Sequence, residues 1–136
     1  EAINTTEDRA VLHMALRGHR QDGFLLNQKA IHDDVEKALE RMSVISHQVR
    51  EGKWLGSTGK RITDVIHLGV GGSDLGPRMA CQALRAYAHK TINIHFVSNT
   101  DGAEILSTVG TLDPETTLVL IVSKSFSTQE TMLNGH

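Results

Sequence analysis

The sequence is short of most features that mark a specialised chain. Its single cysteine, Cys81, leaves no internal disulfide open to it, and a lone thiol is compatible with a reducing cytosol. Lodged among helix-forming residues, Cys81 is expected to be a small buried thiol. Neither sign of charge dominates: 14 Lys and Arg against 16 Asp and Glu give a net charge of −2, so a nucleic-acid partner, which calls for a basic excess, is not expected. No apolar run approaches the ~20 residues of a membrane span, and no membrane partner is expected. The eight histidines never pair as HxH, HxxxH or HExxH, and there is no second cysteine, so no metal site is expected. Repeats and low-complexity segments are absent. So are an initiator methionine before Glu1-Ala2-Ile3-Asn4 and a signal-peptide pattern. The chain closes at Gly135-His136 just inside an expected helix. Both ends suggest a fragment.

What remains is a globular composition, 39% hydrophobic and 22% charged over 136 residues, enough for one ordinary domain with a real core. The first sixty residues read as helical. Glu7 to Arg17 favours helix, with Thr5 and Asp8 at capping-box spacing. Ala30 to Glu51 carries Ile31, Val35, Leu39, Met42, Ile45 and Val49 at steps of three or four, one continuous stripe expected to pack as core. Gly52 then suits a C′ stop. Trp54, in the link Gly52-Lys53-Trp54-Leu55-Gly56, is expected to cover the core rather than stack on a substrate.

From Asp64 the rhythm changes to strand and helix in alternation. Strands are expected at Asp64–Leu68, Ile92–Val97 and Thr117–Val122. Helices are expected from Leu75 to Ala88 with Pro77 in the first turn, from Asp101 to Val109, and from near Thr128. The nearly pure apolar third strand reads as covered on both faces. The fold class implied is α/β, a three-layer αβα arrangement around a parallel sheet, preceded by helices. Residues 1–60 would form the helical segment and 61–136 the first part of the α/β domain.

The chemistry gathers in two loops, each following a strand. Gly69-Val70-Gly71-Gly72-Ser73-Asp74-Leu75-Gly76-Pro77 lets the backbone turn sharply and offers the N–H groups of a new helix to an anion. Tight strand-to-helix turns use glycines without any ligand, so both readings stay open. It is neither a dinucleotide fingerprint, because the third glycine of GxGxxG would fall on Asp74, nor a Walker loop. Ser123-Lys124-Ser125-Phe126-Ser127-Thr128-Gln129-Glu130 packs four hydroxyls and a cation between a buried strand and a helix start, a combination suited to a phosphate dianion. Capping accounts for one residue, since Ser127 and Glu130 have capping-box spacing. It does not account for Ser123, Ser125 and Thr128. Phe126 is expected to anchor the loop. His67 and His95, within strands, are expected to be hydrogen-bonded, and Asp101 to cap a helix.

Taken in order, INTTEDRAVLHMALR (3–17), TGKRITDVIHLGVGGSDLGPRMACQAL (58–84), FVSNTDGAEI (96–105) and SKSFSTQETMLN (123–134) resemble the glucose-6-phosphate isomerase family over essentially the whole chain. The resemblance implies an N-terminal fragment holding part of the first sugar-isomerase (SIS) domain. It implies phosphate contacts at Gly72, Ser73, Ser123, Lys124, Ser125 and Thr128, with Glu130 supporting the active site. It also implies a sugar phosphate substrate, no cofactor, a cytoplasmic location and a homodimeric parent enzyme. The family's base glutamate, histidine, lysine and arginine lie in segments beyond His136 and match no residue here. Asn134-Gly135-His136 departs from the family's Asn-Ala. The alternative is a non-catalytic SIS-type module that senses a sugar phosphate; a dinucleotide-binding oxidoreductase domain is disfavoured by the failed fingerprint. A phosphate shared by both loops demands that their strands be neighbours. That fixes the strand order as 2-1-3, with the Ile92–Val97 strand outside the first.

Overall fold

The computed structural model describes residues 3–4, 9–126 and 128–135, with side chains from residue 11 onward apart from that of Glu130. The chain divides into two compact units, Glu1–Ser46 and His47–His136.

In the first unit, β1 (Ile3–Asn4) pairs antiparallel with β2 (Arg9–Ala10), and α1 (His13–Arg17) follows. The long first helix expected from Glu7 is therefore reduced to five residues; Thr5, Glu7 and Asp8 lie outside the described residues. No side chain caps α1, and Met14 and Leu16 are exposed, so packing does not extend a helix too short to be stable alone. Next, β3 (Leu25–Leu26) and β4 (Lys29–Ala30) form a hairpin. Its two turn residues, Asn27 and Gln28, both have positive φ, matching strand twist as type I′ turns do. Helix α2 (Ile31–Arg50) has Asp33 and Asp34 in its first turn and His47 and Arg50 in its last, complementing the macrodipole. Its apolar stripe is not packed as expected. Leu39, Met42 and Ile45 are exposed and only Val49 is buried, because the preceding elements of two to five residues offer too little apolar surface to cover it.

In the second unit the end of α2 is built as expected. Gly52 takes φ +70°, its N–H donates to Val49 (3.1 Å), and the Lys53 N–H reaches back to Gln48 (2.8 Å). The Arg61 guanidinium donates to the carbonyl of Arg50 at 2.7 Å. Trp54 is 39% exposed rather than laid over the core, since the turn that ends the helix holds it at the surface.

The sheet positions the glycine and serine loops. Strand β5 (Asp64–Leu68) lies at its centre, with β6 (Asn93–Val97) and β7 (Thr117–Ile121) parallel on either side. The order is second, first, third, as a shared ligand requires. Ile66, Leu68 and Val97 form the buried core, with Ile105, Leu112 and Ile121 packed on it. Helices α3 (Gly72–Ala83), α4 (Gly102–Val109) and α5 (Gln129–Gly135) alternate with the strands, giving an α/β domain. Asp101 caps α4 as expected, accepting from the Ala103 N–H at 2.9 Å.

Other expectations in this unit fail as well. Helix α3 begins at Gly72, not Leu75, and ends at Ala83, with a separate 3₁₀ turn at Arg85–Tyr87; the positive φ of Gly71 starts the helix early. Cys81 is exposed. Strand β7 is not covered on both faces, because it is an edge of a three-stranded sheet, with Val119 and Leu120 about half exposed.

At the other end of the sheet, Asp64 gathers three hydrogen bonds, from His95 Nε2 (2.8 Å), Thr63 Oγ1 (2.7 Å) and Asn93 Nδ2 (3.2 Å). Burial pushes its carboxyl up, yet the bonds from His95, Thr63 and Asn93 outweigh burial and hold it below the ordinary value. A depressed carboxylate stabilises the fold above its unfolded pKa, and that contribution fades as pH falls through the folded one. We expect the melting temperature of the wild type to fall below about pH 4, near the unfolded Asp value. Asp64→Asn should lose that part of the pH dependence, and parallel melting curves for the two proteins would refute the link.

Candidate functional site: two loops on adjacent strands

Because β5 and β7 are neighbours, the loops that follow them leave the same end of the sheet side by side. The Val122 N–H donates to Leu68 at 2.8 Å, so the two chains are still bonded where the loops begin. On the far side, the Gly69 N–H donates to Val97 at 3.3 Å.

The glycine loop turns within three residues. Gly71, at φ +59° and ψ −121°, holds a conformation that side chains resist. Gly69 is buried, and a Cβ there would meet the Ser73 carbonyl at 2.8 Å. The chain then enters α3 with Gly72 and Ser73 as its first two residues, at the positive end of the helix. Ser73 donates its N–H to Val70 at 3.1 Å, and Gly72 is exposed.

The serine loop is held by its own hydroxyls. Ser123 Oγ lies 3.2 Å from Thr128 Oγ1 and accepts from the Phe126 N–H at 3.1 Å. Ser123, Ser125 and Thr128 are half-buried, and Lys124 is exposed. Phe126 is no anchor. It takes φ +52° and is 61% exposed, because the left-handed turn directs it outward. Ser127 lies outside the described residues, and with it the Ser127–Glu130 capping box; Glu130 belongs to α5 by its backbone. Thr131, one residue on, is almost fully buried and seats that helix.

A layer of polar side chains that the sequence reading missed braces the loops from behind. Asp74, 4% exposed, receives Arg78 through Nε and a terminal nitrogen at 2.8–3.1 Å. The same guanidinium lies 5.0 Å over the Phe96 ring and 3.4 Å from Ser98 Oγ, bridging to the loop after β6. Glu104 accepts the Ser98 and Asn99 N–H groups at 3.2 and 2.9 Å, and Asn134 on α5 donates to the Asn99 carbonyl at 2.7 Å. The (i, i+4) spacing of Asp74 and Arg78 was a readable signal. The contacts to Asn99 had none. His67 and His95 are hydrogen-bonded, as expected, His67 to the Ser73 carbonyl at 2.7 Å.

Chemically, the arrangement sets backbone donors, hydroxyls and one cation around the ends of two adjacent strands, the crevice where open α/β sheets bind ligands.

Comparison with known proteins agrees with the fold. The family model described as phosphoglucose isomerase matches residues 1–136. A protein named glucose-6-phosphate isomerase from Ralstonia nicotianae is 48% identical over 136 residues, covering all of this chain and 25% of its own length. Another, named glucose-6-phosphate isomerase 1, from Neisseria meningitidis, is 48% identical over 133 residues, covering 98% of this chain and 24% of its own. A crystal structure of a glucose-6-phosphate isomerase from Chlamydia trachomatis superposes with a TM-score of 0.74 at 28% identity, over 94% of this chain and 23% of that one. The chain spans about a quarter of the length of the curated relatives it matches.

Proposed function

The chain belongs to the phosphoglucose isomerase family, and from that premise we propose that it supplies the phosphate-holding loops of an enzyme interconverting glucose 6-phosphate and fructose 6-phosphate. Residues 61–136 are the first part of its sugar-phosphate-binding domain, in a cytoplasmic, homodimeric parent. Gly72 and Ser73 take the phosphate from one side, and Ser123, Lys124, Ser125 and Thr128 from the other; Glu130 supports the active site. The observation that carries this reading is the strand order β6-β5-β7, which makes the two loops neighbours. Hydroxyl and N–H donors around a dianion give charge-assisted hydrogen bonds, about twice as strong as neutral ones.

Isomerisation between C1 and C2 passes through ring opening and an enediol, and needs a carboxylate base. The described carboxylates beside the loops are already engaged: Asp74 by Arg78, Glu104 by two backbone amides, Asp101 by the cap of α4. The 136-residue chain by itself is therefore expected to show no turnover in a coupled isomerase assay. Rates above a buffer blank would place the base within it.

Calorimetric titration of the chain with glucose 6-phosphate, glucose and NAD tests the binding role. Saturable binding of the phosphate ester, with neither glucose nor NAD taken up, is the expected result. Binding of NAD, or equal binding of glucose, would overturn the reading.

A further inference from the structure

The second turn of α3 contains Pro77. In an α-helix the carbonyl of residue i accepts from the N–H of residue i+4. For Ser73 that partner is position 77, and proline has no N–H to give. The Ser73 carbonyl is thus deprived of its intrahelical donor, and backbone acceptors inside a fold are almost always paired.

The missing donor comes from the neighbouring strand. His67, buried near the carboxyl end of β5, brings Nε2 to 2.7 Å from the Ser73 oxygen. A carbonyl only accepts, so Nε2 carries the proton. Two features permit the approach. Gly69 leaves free the space a Cβ would contest with the Ser73 carbonyl at 2.8 Å, and the Phe96 ring, with its centroid 5.0 Å from that of the imidazole, flanks His67. Had position 77 an N–H, the first turns of α3 would satisfy themselves without His67. With proline there, the bond is made to β5 instead.

We propose that His67 is a positioning residue: its Nε2–H replaces the amide that Pro77 lacks and fixes Ser73, the hydroxyl residue of the glycine loop, where it meets the sugar phosphate. The bond stands on its own geometry; its consequence for binding rests on the function proposed above.

The test is a set of variants in which donors are removed and returned. His67→Met keeps a side chain of similar reach without a donor, and should weaken glucose 6-phosphate binding by about 10-fold, the scale of leaving one buried carbonyl unpaired. His67→Gln, whose side-chain amide can donate from nearly the same place, should recover most of that loss. In the Pro77→Ala background the helix regains its own N–H, and His67→Met should then cost little. Equal losses with and without Pro77, or a glutamine no better than methionine, would overturn the proposal. In the wild type, 15N NMR of the neutral imidazole should find the proton on Nε2; a proton on Nδ1 alone would overturn it without any variant. The same variants are read by thermal unfolding without ligand. Coupling there, in a wild type that binds no sugar phosphate, would confirm the bond and overturn the function.

Discussion

Arg78→Ala will destabilise the chain by about 3 kcal/mol, the low end of what breaking a buried ion pair costs. The size follows from what is left behind rather than from what is removed. Asp74 is 4% exposed and its carboxylate receives Arg78 through both oxygens; without Arg78 it is a charge out of water with no partner. The low end applies because the Arg78 side chain is itself 35% exposed, so water can reach part of the gap. The loss should also loosen the Phe96 and Ser98 contacts that join the glycine loop to the loop after β6. Urea unfolding gives the number. Adding Asp74→Asn should recover a large share, since the stranded charge disappears. A single-variant loss below about 1 kcal/mol, the range of an exposed pair, would mean that solvent already screens this contact.

Ser125→Ala and Thr128→Ala, in an isomerase that includes this chain, will each weaken substrate binding by about 1–3 kcal/mol, the range for hydrogen bonds to a charged group. That is roughly a 5- to 150-fold rise in KM. In the proposed site the phosphate is held alike before and during the reaction, so KM should rise more than kcat falls. Thr128→Ala should also disturb the loop itself, because its hydroxyl lies 3.2 Å from Ser123 Oγ, which in turn receives the Phe126 N–H. Thr128→Ser keeps the hydroxyl and should stay close to wild type. A collapse in kcat at constant KM would place these residues in the chemistry instead.

Patterns that depend on chain-local periodicity and turn chemistry were readable. The three strands, the glycine turn, the stop at Gly52 and the cap at Asp101 all follow from residue types at fixed offsets. The strand order followed from a functional demand combined with the handedness of crossovers. Burial was not readable. Cys81, Phe126, Trp54 and the α2 stripe are apolar, but apolarity states only a preference, and the covering surface has to exist. The start of α3 was misplaced because Pro77 looks like a first-turn residue. In fact Gly71, with its positive φ, begins the helix early and leaves the proline in the second turn. His67 looked like an ordinary strand histidine because its partner, the Ser73 carbonyl, is a backbone atom whose lost donor shows only once the helix start is known.

The central claim is that both loops hold one phosphate, and amide 1H–15N NMR of the chain titrated with glucose 6-phosphate tests it most directly. The amides of Gly72 and Ser73 and those of residues 123–128 should shift together along one saturation curve. Inorganic phosphate should move the same set, and glucose should move none of it. Shifts confined to one loop, or two loops following different curves, would contradict the shared site.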